Sequence, residues 1–137
     1  MVRRSLSLHT RPVVLIAIGG MLGANLRYSL GAVAGEGFLI TIVVNGVGSF
    51  GLGLLLFDTR ADDLLSKRFR HLFGTGFFAS FTTYSTFIAD IGTAGGLAAI
   101  GYIAASYGAG IGGVLLSRNL VNAYSVTGVA DPELGDD

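Results

Sequence analysis

Six consecutive residues in an otherwise apolar segment carry the side chains best suited to chemistry. The run from Thr82 to Phe87 reads Thr-Thr-Tyr-Ser-Thr-Phe, so five of its six residues bear a hydroxyl group. A bilayer core offers no water to such groups, which must therefore face protein or an aqueous path. Adjacent threonines also weaken a helix. The run predicts a break in a membrane helix that serves a small ion.

The composition of the chain is that of a membrane protein. Of its 137 residues, 51% are hydrophobic and only 13% are charged, against about 25% charged residues in soluble domains. A formal net charge of zero argues against a nucleic-acid partner. His9 and His71 lie outside the apolar segments, which leaves no nucleophile–base pair for an enzyme. We expect one domain in a lipid bilayer and no enzymatic activity.

Four apolar segments are long enough to cross a bilayer, which takes about 20 residues. They are residues 12–33, 38–57, 69–91 and 92–117. The first begins with Pro12, which suits the first turn of a helix, and we expect it to be retained rather than cleaved as a signal peptide. The sequence thus predicts an all-α membrane protein with four transmembrane helices, the third of them broken at the Thr-rich run.

This organisation divides the chain into three parts. Residues 1–11 are expected to form a cytoplasmic N-terminal segment and residues 12–118 a four-helix membrane channel domain. Residues 119–137 are expected to form an acidic C-terminal tail that frays after Leu120. The charged connection at residues 58–70 is either a solvated loop, which we favour, or part of an interfacial amphipathic helix over residues 61–73.

Positive charge is distributed unevenly over the two sides that four crossings create. The side with both termini and the 58–70 connection holds eight of the nine Lys and Arg residues, and the other side holds Arg27 alone. Loop charge sets the orientation of membrane proteins, with the positive side in the cytoplasm. We therefore expect a multi-pass protein of the cell membrane with both termini in the cytoplasm.

Three motifs in this chain resemble those of the Fluc (CrcB) fluoride channel family. The first, from Gly20 to Tyr28, has the pattern Gly-x-x-Gly-Ala-x-x-Arg-Tyr. The second runs from Val44 to Phe50, and the third runs from Gly76 to Phe87 and contains the Thr-rich run. In order and spacing the resemblance extends over all four predicted spans.

The resemblance implies both a fold and an activity. Fluc channels are antiparallel dimers of four-helix subunits that conduct fluoride passively through two pores, and the third helix of each subunit is broken. Main-chain carbonyls at the break from both subunits hold one structural sodium ion, and the matching carbonyls here belong to Ala79 and Thr82. The family usually has Gly-Gly where this chain has Ala79-Ser80, so Ala79 must avoid positive φ.

The resemblance also assigns residues to the fluoride path. Tyr84 and Phe87 match two pore-lining phenylalanines, whose positive ring edges suit a small anion. Neutral hydrogen-bond donors would line the rest of the path: Asn45, Ser85, Thr86, Tyr102 and Ser106. Arg27 would either concentrate anions at a pore mouth or anchor its helix at the interface. Gly110 stands where the family has a further serine, so one donor is missing.

The residues alone leave other interpretations open. Tyr84 and Phe87, three apart on a helix, are also a common packing pair, and a buried Asn45 could join helices. A proton-coupled exporter needs a carboxylate at membrane depth, whereas all nine acidic residues lie at span ends, in the 58–70 connection or in the tail. A structural or assembly subunit that conducts nothing alone also stays open, because of Gly110 and the charge bias.

The charge bias bears on the dimer that the resemblance implies. In an antiparallel homodimer one sequence must insert in both orientations, which requires a nearly balanced distribution of Lys and Arg. The eight-to-one split predicts instead a heterodimer with a second homologous four-helix subunit of opposite bias, with the homodimer as the alternative.

Overall fold

The structure of the chain, a computed structural model, describes residues 2–35, 37–57 and 64–127, and most of these residues are helical. Its helices are α1 (Val2–Ala34), α2 (Phe38–Phe57), α3 (Leu64–Phe69), a π-helix (Arg70–Phe78), α4 (Ala79–Phe81), α5 (Tyr84–Ala94) and α6 (Gly96–Thr127). Three stretches are long and apolar enough to cross a membrane: Arg11–Ala34, Phe38–Phe57 and Gly96–Tyr124. The predicted all-α membrane architecture is confirmed at this level.

The first and last membrane helices differ from their predicted limits. Helix α1 begins at Val2, so Pro12 lies inside the helix rather than in its first turn. Proline removes one main-chain hydrogen bond, a loss that membrane helices tolerate because nearby groups can satisfy the freed carbonyl. Helix α6 begins at Gly96 rather than at residue 92. Gly95 and Gly96 have φ values of 62° and 49°, a conformation that glycine adopts at no steric cost, and they turn the chain between α5 and α6.

Helical structure also extends into two segments expected to be irregular. Helix α6 continues to Thr127, seven residues past Leu120, and the rest of the predicted tail lies outside the described residues. The 58–70 connection is helical from Leu64, so the loop interpretation is wrong for its second half, and residues 58–63 lie outside the described ranges. The rings of Phe69 and Phe73, tilted by 35° with centroids 4.3 Å apart, form an i, i+4 contact that supports this helix.

Glycines bring α1 into main-chain contact with the π-helix. A Cβ atom at Gly19 would collide with main-chain atoms of Leu72 and Phe77, and one at Gly23 would collide with the Phe77 carbonyl. No flexible side chain lies between the two helices there, so neither can move aside for a larger residue. Helix α1 accordingly packs mainly against the π-helix and α4.

Helix α2 uses its glycines against two different neighbours. Gly46 and Gly53 face α6, where a Cβ at Gly53 would collide with the Ser117 hydroxyl. Gly48 and Gly51 face the chain near the Thr-rich run, with Thr82 and Phe78 as their nearest contacts. Helix α2 thereby holds α6 on one side and the Thr-rich segment on the other, which is the packing that positions the site.

Candidate functional site

The helical run that begins at Leu64 is interrupted at Thr82 and Thr83. Thr82 has φ −69° and ψ 158°, and Thr83 has φ −141° and ψ 120°, so both are extended. The Thr83 Oγ1 accepts a hydrogen bond of 3.2 Å from the Thr86 N–H, which makes Thr83 the N-cap of α5. Threonine is favoured at such caps. The main chain is therefore extended at these two residues, and the second of them also begins the next helix.

The side chain of Asn45 holds this interruption in place. Its Nδ2 donates to the Thr83 carbonyl at 3.0 Å, and its Oδ1 accepts from the Thr83 N–H at 2.7 Å. The amide thus pairs the Thr83 N–H, which has no helical acceptor at the interruption, and adds a second bond at the Thr83 carbonyl. Asn45 lies seven residues after Phe38, or about 10 Å along α2 at a rise of 1.5 Å per residue. The interruption is therefore well inside the apolar length of α2.

Because of these hydrogen bonds, two main-chain carbonyls lack the N–H donors that they would have in a continuous helix. The Thr83 N–H, which would bond to the Ala79 carbonyl in a continuous helix, donates to Asn45 instead. The Thr86 N–H, which would bond to the Thr82 carbonyl, donates to the Thr83 hydroxyl. These are the two carbonyls that the sequence predicts as sodium ligands.

The two carbonyls differ in what now contacts them. The Ala79 oxygen accepts a bond of 3.3 Å from the Thr82 hydroxyl, and Ala79 has φ −65°, so alanine is accommodated without strain. The Thr82 oxygen accepts a long bond of 3.4 Å from Arg27 Nη1. Carbonyl oxygens suit a hard cation, and each keeps a second lone pair. The Ala79 oxygen fits sodium, whereas the guanidinium competes with a cation at the Thr82 oxygen.

A groove of about 540 Å³ lies between α2, α5 and α6 beside the interruption, and we call it the first cavity. Four of the predicted path residues line it: Asn45, Tyr84, Phe87 and Ser106. Ser106 is only 8% exposed, and its Oγ is buried with no hydrogen-bond partner among the described residues. A buried hydroxyl in this condition is ready to donate to an acceptor that enters the cavity.

Aromatic rings surround Phe87 at this cavity. Phe87 is 6% exposed, and its ring centroid lies 5.4 Å from that of Tyr102 and 6.0 Å from those of Tyr84 and Tyr107. The pair with Tyr107 is perpendicular. Tyr84, by contrast, is 71% exposed. Phe87 is therefore held in one orientation by packing, while Tyr84 projects from the open side of the groove.

A second cavity of about 470 Å³ lies on the other side of the interruption, between α1, α2 and α5. It contains the remaining predicted path residues of the Thr-rich run, Ser85 and Thr86, together with Arg27. Thr83 lines both cavities, and its hydroxyl lies 2.9 Å from that of Thr86 and 3.4 Å from that of Ser85. The predicted path residues thus form two groups separated by Thr83.

Tyr102 alone among the predicted path residues lines neither cavity, although its ring packs against Phe87. Its hydroxyl donates to Asp90 Oδ2 at 2.8 Å, and the buried Thr41 hydroxyl donates to the same oxygen at 3.0 Å. This cluster joins the beginning of α2, the second half of α5 and the second turn of α6. Asp90 had no role in the site predicted from the sequence. The one indication in the sequence is that a carboxylate at the end of a membrane span requires hydrogen-bond donors.

Comparison with known proteins identifies the family of this chain. The family model described as "CrcB-like protein, Camphor Resistance (CrcB)" matches residues 14–118, which is most of the chain. The chain belongs to the CrcB family. The match contains the interruption, both cavities and the Asp90 cluster. No solved structure matches the chain.

Relatives in the CrcB family have names that state an activity. The chain is 36% identical over 113 residues to "Fluoride-specific ion channel FluC 1" of Haloarcula marismortui, covering 82% of this chain and 87% of that protein. It is 38% identical over 115 residues to "Fluoride-specific ion channel FluC 2" of Halobacterium salinarum, covering 82% and 88%. Over 80 residues it is 48% identical to "Fluoride-specific ion channel FluC" of Oceanobacillus iheyensis, covering 56% and 62%. These relatives are named as channels, not as enzymes.

The pairing of Asn45 with Thr83 generates a prediction about stability. Asn45→Leu should lower the free energy of unfolding by about 1–3 kcal/mol, because it leaves the Thr83 N–H unpaired away from water. Thermal unfolding of the purified protein in detergent measures this. Asn25→Leu is the matched control, since Asn25 is exposed and its amide donates to Met21 on its own helix. Equal stabilities of the two variants would contradict the pairing.

Proposed function

We propose that this chain is a subunit of a fluoride-specific ion channel that lets fluoride leave the cytoplasm passively and so reduces its toxicity. The observation that carries the proposal is the buried, unpartnered hydroxyl of Ser106 in the first cavity beside Phe87. A buried donor without an acceptor costs about 1–3 kcal/mol, and a small anion in the cavity would offset that cost. The names of the relatives point to the same anion.

The chemistry of the first cavity suits an anion that must both bind and leave. Removing water from a small anion is costly unless other donors replace it. Ser106 offers a free hydroxyl, Asn45 keeps one amide N–H beyond the one given to Thr83, and Phe87 offers a ring edge. These donors are neutral, so they compensate dehydration without trapping the ion. The N-terminus of α5 adds a weak positive potential at Tyr84.

The second cavity would serve as a mouth of the path. Arg27, which is half-buried there, would raise the local concentration of anions. The Ser85 and Thr86 hydroxyls lie beside it and can pass an ion toward the interruption. Tyr102 would contribute only after its hydroxyl turns away from Asp90, to which it donates at 2.8 Å.

The architecture we propose has four crossings and a partner in the opposite orientation. Residues 69–91 would form the third crossing, interrupted at Thr82 and Thr83, within a channel domain of residues 12–118. The termini would lie in the cytoplasm because eight of nine basic residues lie on their side. The Ala79 and Thr82 carbonyls would hold a structural sodium ion together with the same carbonyls of the second subunit.

The exporter alternative receives less support from the described residues. Asp90 is the one acidic side chain among them, and it accepts bonds from Thr41 and Tyr102 within about two turns of the ends of their helices. A carboxylate in this position links α2, α5 and α6 at one end of the helix bundle. It lies outside both cavities, which favours passive conduction over proton exchange.

Fluoride flux tests the proposal directly. The purified protein in liposomes, with any subunit that copurifies, should release fluoride down its gradient without a pH gradient and should exclude chloride. Phe87→Ile keeps the bulk but removes the ring edge and should lower the flux at least about tenfold, equivalent to 1.4 kcal/mol. A fluoride electrode outside the vesicles measures both.

Phe73→Ile is the control for this variant, because Phe73 contacts Phe69 and Phe77 and lies outside both cavities. Its flux should stay near that of the parent. A strict need for a pH gradient would reassign the protein to the exporter class. Normal fluoride flux in a folded Phe87→Ile protein would show that Phe87 is only a packing residue.

Sodium should stabilise the assembled protein without being transported. A ligand that binds only the folded state stabilises it by about 2.7 kcal/mol at a hundred times its Kd. The melting temperature in sodium chloride should therefore exceed that in N-methylglucamine chloride of the same ionic strength. Identical melting temperatures over a range of concentrations would remove sodium from the proposal.

The partner subunit can be tested by topology. A reporter fused to the C-terminus should give signal only on the cytoplasmic side, because the eight-to-one split of basic residues opposes the inverted orientation. Expressed alone, the chain should then conduct little fluoride, and a homologous subunit of opposite bias should restore conduction. Reporter signal on both sides, with conduction by the chain alone, would establish a homodimer and refute the heterodimer.

A further inference from the structure

The donor missing from α6 at Gly110 has a neighbour across the first cavity. If residue 110 carried a Cβ atom, the nearest side-chain atom would be the Ser49 Oγ, at 3.6 Å. This is an ordinary van der Waals distance. The hydroxyl of Ser49 thus lies at the position toward which a serine side chain at residue 110 would extend. Ser49 and Gly110 both line the first cavity.

Ser49 also continues the row of donors along α2. It follows Asn45 by four residues, so both side chains lie on the same face of the helix. On α6, Ser106 and Gly110 have the same spacing and face this pair across the cavity. Within the described ranges, the buried hydroxyl of Ser106 makes no hydrogen bond with another residue.

We propose that Ser49 supplies to the fluoride path the hydroxyl that Gly110 does not. This inference rests on the proposed function and adds a residue to its binding site. The anion would receive hydrogen bonds from Ser106 on one wall of the cavity and from Ser49 on the other. The hydroxyl would then come from α2 rather than from α6. A path that loses a serine on one helix therefore need not lose a donor.

The rival explanation is that Ser49 is a small residue which merely lets α2 approach α6. Under that explanation only its size matters, and alanine should replace it without effect. Under the proposal the hydroxyl matters, and a hydroxyl restored from the opposite wall should compensate. The two explanations therefore differ in what a second substitution at residue 110 does.

Fluoride efflux from liposomes distinguishes them with three variants of the complete chain. Ser49→Ala should lower the fluoride efflux about tenfold or more, as expected for a lost hydrogen bond to a charged group. The double variant Ser49→Ala with Gly110→Ser should recover efflux to within about threefold of the parent, because the Cβ that carries the new hydroxyl lies 3.6 Å from the position of the lost Ser49 Oγ. Gly110→Ser alone should conduct, since its Cβ meets Ser49 at an ordinary distance.

Ser117→Ala is the matched control, because the Ser117 hydroxyl donates to the Val114 carbonyl on its own helix and lies outside both cavities. Melting temperature and elution volume verify that each variant is folded. Unchanged efflux in Ser49→Ala, or no recovery in a folded double variant, would overturn the role of Ser49 while leaving fluoride conduction intact. A parent protein that conducts no fluoride in any assembly would overturn both proposals.

Discussion

The exchange of two hydrogen bonds between Asn45 and the main chain of Thr83 is the interaction on which the rest of the site depends. An extended stretch inside an apolar region needs partners for its N–H and carbonyl groups, since hydrocarbon supplies none. One amide side chain provides both, at 2.7 and 3.0 Å. With Thr83 held, its hydroxyl caps α5, the Ala79 and Thr82 carbonyls lose their helical donors, and a cavity opens on each side.

The charged side chains are arranged around a neutral centre. Arg27 reaches the interruption from the second cavity, and Asp90 lies at the end of the bundle with Thr41 and Tyr102 as its donors. No charged residue lines the first cavity within the described ranges. A full positive charge there would hold an anion too tightly to release it, and a carboxylate would repel it. A conducting path for fluoride therefore requires that charged side chains lie away from the neutral hydrogen-bond donors.

Much of this arrangement could be predicted from residue types, but the pairing of side chains could not. Paired β-branched threonines weaken a helix locally, so the interruption at Thr82 and Thr83 was predictable from neighbouring residues alone. The partners of Asn45 and Tyr102 depend on how α2, α5 and α6 cross, which periodicity does not determine. The proposed role of Ser49 likewise depends on the packing of α2 against α6, which places Gly110 opposite Ser49. The position of Pro12 inside α1 was missed because proline is compatible with both a first turn and a membrane helix.

A single chain leaves the proposed path open on one side, and this would give the proposed second subunit a structural purpose. Tyr84 is 71% exposed although it belongs to the site, and the first cavity is a groove rather than an enclosed channel. An anion in an open groove at membrane depth would face lipid, which offers it no donors. The wall must therefore come from another protein surface. In the proposed antiparallel partner the Thr-rich run would lie at the same depth, so the two subunits would enclose each other's first cavity and bring the Ala79 and Thr82 carbonyls together between them.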